Sequence, residues 1–232
     1  DEHLADQLMI PAALAHGTHV QDDDLLVDER PRIVEQLLGG DGTVHLVADN
    51  AGSELLMDFA LLDLLLSELP LNVVLHLKQH PTFVSDATAQ DARWLLGWLL
   101  VGQRGERAAE LSRRFQAALD SGRLRLAPDA FWNSAYLLWD MPPRLVDTFR
   151  GARMVFIKGD ANYRRLSGDA LWPPETPFAE VMAYFPAPVA ALRTLKSDTI
   201  AGLPPGVADR LDAAEPEWRS TGRRGVVQVA LK

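Results

Sequence analysis

Asp49 and Asn50 stand together in the segment VADNAGSELL, Asp86 lies in SDATAQD, Asp160, Asn162 and Arg164 share KGDANYRR, and Arg193 and Lys196 share RTLK. Two carboxylates and a carboxamide are hard oxygen donors. They suit Mg2+ or Mn2+ with positions left for water and a phosphate oxygen. Lys158, Arg164, Arg193 and Lys196 add positive charge in neighbouring loops. A divalent cation flanked by basic donors binds a phosphate and offsets the charge that develops as its ester bond breaks, so phosphoryl chemistry is the expected class. The same residues have plainer readings. Asp49-Asn50-Ala51-Gly52 also describes a turn and helix cap, Asp86 an N-cap for a helix at Thr88, and Glu54 a complement to a helix dipole. Taken singly, Lys158, the Arg164-Arg165 pair, Arg193 and Lys196 read as solvated surface charges.

The elements that must position these residues follow from hydrophobic spacing. Residues 43–48 are β-rich and lead through the Asp49 turn into a helical pattern from Ser53, whose apolar stretch 55–69 carries Asp58, Asp63 and Glu68. Residues 72–77 repeat the strand signal, 81–86 make a second loop, and 88–100 are helical in spacing. A polar helix over 106–119 precedes a short strand at 123–126 and a region with Pro128, Pro142 and Pro143 that reads as surface or pocket wall. Strands at 153–157, 189–192 and 225–229 and a short helix over 163–166 complete the pattern, giving a sheet of about six strands. The alternating order implies a parallel sheet, with ligands beyond the carboxyl ends of its strands. Ahead of it, 4–14 could be helical, 16–24 reads as a polar loop, and a helix is expected over 29–38, ending at Gly39-Gly40. Residues 1–40 are set apart as an N-terminal remnant and 41–232 as one α/β domain.

Trp94 and Trp98, four apart, read as a helix packing face, and Phe131, Trp132 and Trp139 as core or pocket wall. None of the six histidines forms a His-Glu-x-x-His motif, His45 and His76 fall in strands, and neither Gly-x-Gly-x-x-Gly nor the Walker pattern is present. With 23 Lys plus Arg against 32 Asp plus Glu, the net charge of −9 argues against broad attraction to nucleic acid or anionic lipid. The longest apolar stretch is too short to span a bilayer. Absence of cysteine removes thiolate chemistry and fits a reducing cytoplasm. The first residue is Asp, and nothing near it has a signal-peptide layout, so an upstream part is expected to be missing.

Five ordered segments, VADNAGSELLMDFALLDLLL, FVSDATAQDARWLL, VFIKGDANYRRLSGDALW, ALRTLKSD and EPEWRSTGRRGVVQ, resemble the damage-control phosphatase family, formerly a domain of unknown function, in its acidic residue methyltransferase-like branch. The resemblance covers about residues 43–228. It implies a three-layer α/β/α sandwich with a mostly parallel central sheet. It also implies that Asp49, Asn50 and Asp86 bind the metal, Mn2+ foremost with Mg2+, Co2+ or Ni2+ as alternatives. Asp160, Asn162, Tyr163, Arg164 and Lys196 would contact a sugar phosphate, with Arg193 and Glu54 beside them, since RTLK is similar to the Arg-Thr-x-Lys signature of the sugar-phosphate branch. Members of that branch hydrolyse hexose phosphates such as fructose 1-phosphate and fructose 6-phosphate. The departure lies at the N-terminus, where the family's helical domain and its Trp-Gly-Asn segment are reduced or missing.

The expected reaction holds the phosphate on Lys196 and Arg164, with attack by activated water or by the Asp49 carboxylate through a phosphoenzyme. Two other functions stay open. One is an S-adenosylmethionine-dependent protein carboxyl methyltransferase, for which the single glycine after the first strand gives thin support. The other is a non-catalytic sugar-phosphate-binding module that keeps the fold without its N-terminal roof.

Overall fold

A computed structural model of the chain describes residues 24–101 and 105–232; the helix expected over 4–14 and, apart from Asp24, the loop expected over 16–24 lie outside them. The strands are β1 (Leu25–Asp28), β2 (Gly42–Val47), β3 (Leu71–Lys78), β4 (Leu124–Asp129), β5 (Met154–Lys158), β6 (Val189–Thr194) and β7 (Gly225–Ala230). They form one seven-stranded sheet in the order β1-β7-β6-β5-β2-β3-β4. All neighbours from β6 across to β4 pair in parallel; β7 runs antiparallel to β6, and β1 runs parallel to β7. Strands such as VVLHLK and MVFIK are buried along nearly their whole length, as a sheet covered on both faces requires.

One face is covered by α1 (Arg30–Leu38), α2 (Ser53–Glu68), α3 (Ala89–Leu100) and α4 (Glu106–Asp120), which bury Ile33, Leu37, Phe59, Leu62 and Phe115 against Val44, Leu46, Val73 and Leu75. The other is covered by α5 (Pro143–Phe149), α6 (Asp160–Leu166), α7 (Phe178–Val181) and α8 (Val207–Ala214), with Phe149, Tyr163, Leu166, Phe185 and Trp218 packed on Val155, Ile157, Val189 and Ala191. Each such aliphatic or aromatic side chain contributes roughly 1.5–3 kcal/mol by leaving water. The result is the expected three-layer sandwich. Among the described residues, no helix is long and apolar enough to cross a membrane.

Three expectations need correction. The sheet has seven strands rather than about six because β1, only four residues at an edge and half-buried, has no apolar run to announce it. Residues 25–38, from the N-terminal stretch set apart on sequence, thus add a strand and a helix to this sheet. Trp94 and Trp98 do not pack into the core: they stack on each other at 6.5 Å while 67% and 38% exposed. The buried stripe of α3 is Ala92, Leu95, Leu96 and Leu99, and Trp94 and Trp98 fall outside it on the helical repeat. The proline-rich region after β4 is a mixture. Phe131 and Trp132 are buried on a 3-10 turn (Ala130–Asn133), whereas Trp139 is 48% exposed.

The strand order reverses between β2 and β5, because β2, β3 and β4 run outward one way and β5 and β6 the other. In open α/β sheets the crevice at the carboxyl ends of such a pair is where ligands bind. Asp49 follows β2 and Gly159 follows β5, so both of those loops open at this crevice.

Candidate active site

The chain leaves β2 at Val47 and β3 at Lys78, and the two loops then pair with each other. Ala51 donates its backbone N–H to the Ser85 carbonyl (2.7 Å), Ala87 donates to the Asp49 carbonyl (3.0 Å), and Asn50 and Asp86 stand opposite each other in an isolated antiparallel bridge. Backbone pairing therefore brings three candidate donors together from positions 49, 50 and 86. None of them serves as a helix cap. Helix α2 is preceded by Gly52 without a side-chain cap, and α3 is capped by Thr88, whose hydroxyl accepts from the Asp91 backbone while Asp91 reciprocates.

Each side chain is held from several sides. Asp86 Oδ2 accepts from the backbone N–H groups of Thr82 and Phe83, both at 3.0 Å, and Oδ1 faces Lys78 Nζ at 3.6 Å. Asn50 Nδ2 donates to Asp49 Oδ2 (3.1 Å) and to Glu54 Oε2 (2.9 Å), while its Oδ1 accepts from Ser85 Oγ (2.7 Å). Both amide hydrogens are thus spoken for, and Oδ1 keeps a second lone pair. The loop carrying Asp86 is tethered by Asn133, which donates to the His80 carbonyl and Thr82 Oγ1 and accepts from the Gln79 backbone.

The third loop enters through Gly159, at φ +90°. A Cβ there would lie 2.1 Å from Asp49 Oδ2, so the Asp49 carboxylate packs directly on the glycine backbone. Just before it, Lys158 Nζ donates to Glu54 Oε1 (3.2 Å) and to Asp58 Oδ1, with the lysine and aspartate side chains 4% and 0% exposed. Lys158 is therefore a buried cation, not the solvated charge its type suggested. Burial disfavours its charge, but the carboxylates of Asp58 and Glu54 outweigh this and hold its ammonium above the usual lysine range.

The carboxylates here outnumber the cations. Asp49, Glu54, Asp58 and Asp86 face Lys78 and Lys158, four carboxylates against two ammonium groups, which leaves two negative charges when all are ionised. Burial and the proximity of Glu54 push the Asp49 carboxyl up to about 6, against the opposing pull of Lys78 and Lys158. A buried carboxylate surrounded by others is a site short of positive charge. Among the described residues no three His, Asp or Glu side chains lie close enough to hold an ion by themselves. A cation here would depend on the Asn50 carboxamide beside Asp49 and Asp86.

The remaining predicted residues form a second group behind and beside the first. Asp160 Oδ1 accepts from Arg193 Nε (2.8 Å), the Lys196 backbone N–H (3.0 Å) and Ser197 Oγ (3.1 Å). Arg193, a surface charge when read singly and a neighbour of the substrate by the resemblance, is fully buried, donates also to the Ser197 and Thr199 carbonyls, and lies 4.2 Å over the Tyr163 ring. Tyr163 is itself buried, its hydroxyl bonded to Gln228 Oε1 at 3.1 Å, and burial raises its pKa, so it stays a neutral phenol. Asn162 Nδ2 donates to the Lys158 carbonyl (2.8 Å) and the Ala48 carbonyl (3.3 Å), stitching the ends of β5 and β2 together. Arg164 is half-exposed and paired with Asp169 at 2.6 Å, and Lys196 is exposed. Arg165, also expected at the surface, turns inward and donates to the carbonyls of Phe131, Trp132 and Tyr136.

Asp58, Lys78 and Ser85 were not singled out from sequence. A signal existed for two of them: Asp58 follows Glu54 by one helical turn, and Lys78, like Lys158, ends a strand at the crevice. Comparisons with known proteins show the family and the fold. A family model described as the Damage-control phosphatase ARMT1-like domain matches residues 14–211. Proteins named Damage-control phosphatase ARMT1 from mouse and human are 37% and 35% identical over 190 residues, 80% of this chain and 43% of theirs. The Xenopus laevis protein of that name is 34% identical over 211 residues, 89% of this chain and 47% of its own. The chain thus spans less than half the length of these curated relatives. A crystal structure of a DUF89 family protein from Pyrococcus horikoshii matches 90% of this chain and 61% of that one with a TM-score of 0.50 and 14% identity, a likeness of fold.

Proposed function

The chain belongs to the Damage-control phosphatase ARMT1-like family, and from this membership we propose that it is a divalent-metal-dependent phosphatase acting on small phosphorylated metabolites, with hexose phosphates such as fructose 1-phosphate or fructose 6-phosphate as substrates. The observation that carries the reading is the backbone bridge that sets Asn50 against Asp86 with Asp49 adjacent, at the carboxyl ends of β2 and β3. Asp49, Asn50 and Asp86 would hold the cation, Mn2+ foremost, with Mg2+, Co2+ or Ni2+ able to replace it. When bound, it supplies Lewis-acid stabilisation of charge on the phosphate oxygens.

The chain's own residues divide the remaining work. Lys78 and Lys158 keep Asp86 and Glu54 in place. Lys196 and Arg164, on exposed positions around the crevice, take the substrate phosphate. Asp160, oriented by Arg193, faces the sugar hydroxyls, and a site built to hydrogen-bond a hydroxyl rejects analogues lacking it. Asp49 either attacks phosphorus or accepts the proton of an attacking water. The α/β domain, with β1 in its sheet and α1 in its covering layer, is the proposed catalytic unit.

The test is phosphate release from a panel of sugar phosphates after chelation and re-addition of Mn2+, Mg2+, Co2+ or Ni2+. Release that is lost on chelation and restored by metal supports the proposal. Release indifferent to chelator overturns the metal dependence. S-adenosylmethionine binding with no phosphate release would replace the reading with the methyltransferase, and tight sugar-phosphate binding without turnover would reduce it to a binding module.

A further inference from the structure

A continuous run of contacts leads from the core of the molecule to the candidate metal ligands. Asp58 Oδ1 accepts from Lys158 Nζ, which also donates to Glu54 Oε1 (3.2 Å); Glu54 Oε2 accepts from Asn50 Nδ2 (2.9 Å), which donates in turn to Asp49 Oδ2 (3.1 Å). Asp58 and Glu54 are one turn apart on α2, and Lys158 reaches them from the end of β5. We propose that Lys158 and Asp58 are positioning residues: they lock the Glu54 carboxylate, which fixes the Asn50 amide with its oxygen toward the Asp86 loop and its hydrogens toward the interior.

Orientation matters because the two ends of a carboxamide differ only in donor and acceptor character. Released from Glu54, the amide is held on its donor side by Asp49 alone, and when it turns over at the cost of that bond it presents an N–H where a cation needs an oxygen. The network also lacks the completeness of one kept for stability. Asp58 Oδ2 is buried without a hydrogen-bond partner. An apolar pair of similar volume is often as stable as a buried ion pair, so an imperfect one held against a site is better explained by what it orients.

This inference rests on the metal-dependent phosphatase reading, and the experiment separates the two. The intact chain is compared with Lys158→Met/Asp58→Asn, Asp58→Asn and Lys158→Arg. Mn2+ affinity is measured by calorimetry, kcat and KM with fructose 1-phosphate, and Tm by thermal unfolding. Loss of an outer contact to a metal ligand typically costs 10–100-fold in affinity or activity, so the double variant should bind Mn2+ at least about tenfold more weakly, with kcat lowered more than KM is raised. Lys158→Arg, which keeps the charge, should recover most of both. A lowered Tm with Mn2+ affinity and kcat equal to the parent's overturns the proposal. If the double variant does not fold, Asp58→Asn carries the test, with unchanged affinity and kcat overturning it. A parent that neither binds Mn2+ nor releases phosphate sinks the phosphatase reading and this inference together; an active parent with variants to match sinks this inference alone.

Discussion

Arg193 lies wholly inside the protein, donating to the Asp160 carboxylate and to the carbonyls of Ser197 and Thr199, while Arg164 lies half-exposed against Asp169. The two arginines should respond differently to replacement. Arg193→Met takes the charged partner from the Asp160 carboxylate, which keeps only the Lys196 N–H and the Ser197 hydroxyl, and removes the arginine from two carbonyls; breaking a largely buried pair in this way should destabilise by up to about 3–5 kcal/mol, to be read from urea denaturation. Arg164→Ala breaks a surface pair and should shift stability by less than about 1 kcal/mol. In the phosphatase assay the same variant should raise KM with little change in kcat, since a side chain that holds the phosphate before and during reaction contributes uniform binding. An unchanged KM would remove Arg164 from the site and leave it a surface charge.

The elements act through the turns that end β2, β3 and β5. Gly159 sits between β5 and α6 at φ +90° with the Asp49 carboxylate against its backbone. Gly159→Ala adds a methyl into that carboxylate and strains the turn. Mn2+ affinity should fall along with stability, the latter by roughly 1–3 kcal/mol on the scale of a strained backbone residue. Calorimetry and denaturation on the same sample check both, and unaltered Mn2+ binding would place Asp49 outside the metal site. Much of this arrangement was legible in sequence. The apolar runs of β2, β3 and β5 and the polar residues following them placed Asp49, Asn50, Asp86 and Asp160 at one end of a parallel sheet. The burial of Lys158 was not legible, because its partners are distant, Asp58 by 100 residues, and the pairing of Arg193 with Asp160 spans 33. The bridge joining Asn50 to Asp86 was equally hidden, being a backbone pairing between two loops that each read as an independent turn. Trp94 and Trp98 misled because spacing of four shows that two residues share a face, without showing which face is buried.

At the scale of the whole molecule, the sheet carries a pair of buried histidines behind the site. His45 Nδ1 and His76 Nε2 lie 3.0 Å apart, packed against Phe149, with Trp132 edge-on to His76. Burial, reinforced by Arg125, lowers the His45 pKa to about 4, and burial, His45 and Arg125 lower that of His76 to about 3. Between the ordinary histidine value near 6.5 and these values the unfolded chain binds protons that the folded one refuses. The histidines' share of the stability is therefore complete above about pH 6.5 and declines as pH falls, each approaching about 1.4 kcal/mol per pH unit, against the opposite contribution of the Asp49 and Asp58 carboxyls, which burial raises to about 6. Titration of the two imidazoles in the folded protein by NMR from pH 7.5 to 5 tests this, and protonation of either ring near pH 6.5 would contradict a neutral buried pair. The sheet that buries these rings also sets β2 beside β5, the reversal at which the candidate site opens. The most direct test of that site is the rate of phosphate release from fructose 1-phosphate against Mn2+ concentration, for the parent, Asp49→Ala and Asp86→Ala in parallel. A saturable dependence on Mn2+ in the parent and a rate at least about 100-fold lower in both variants is the predicted result, given that a metal site contributes several kcal/mol to the transition state. Equal rates in all three proteins would contradict it.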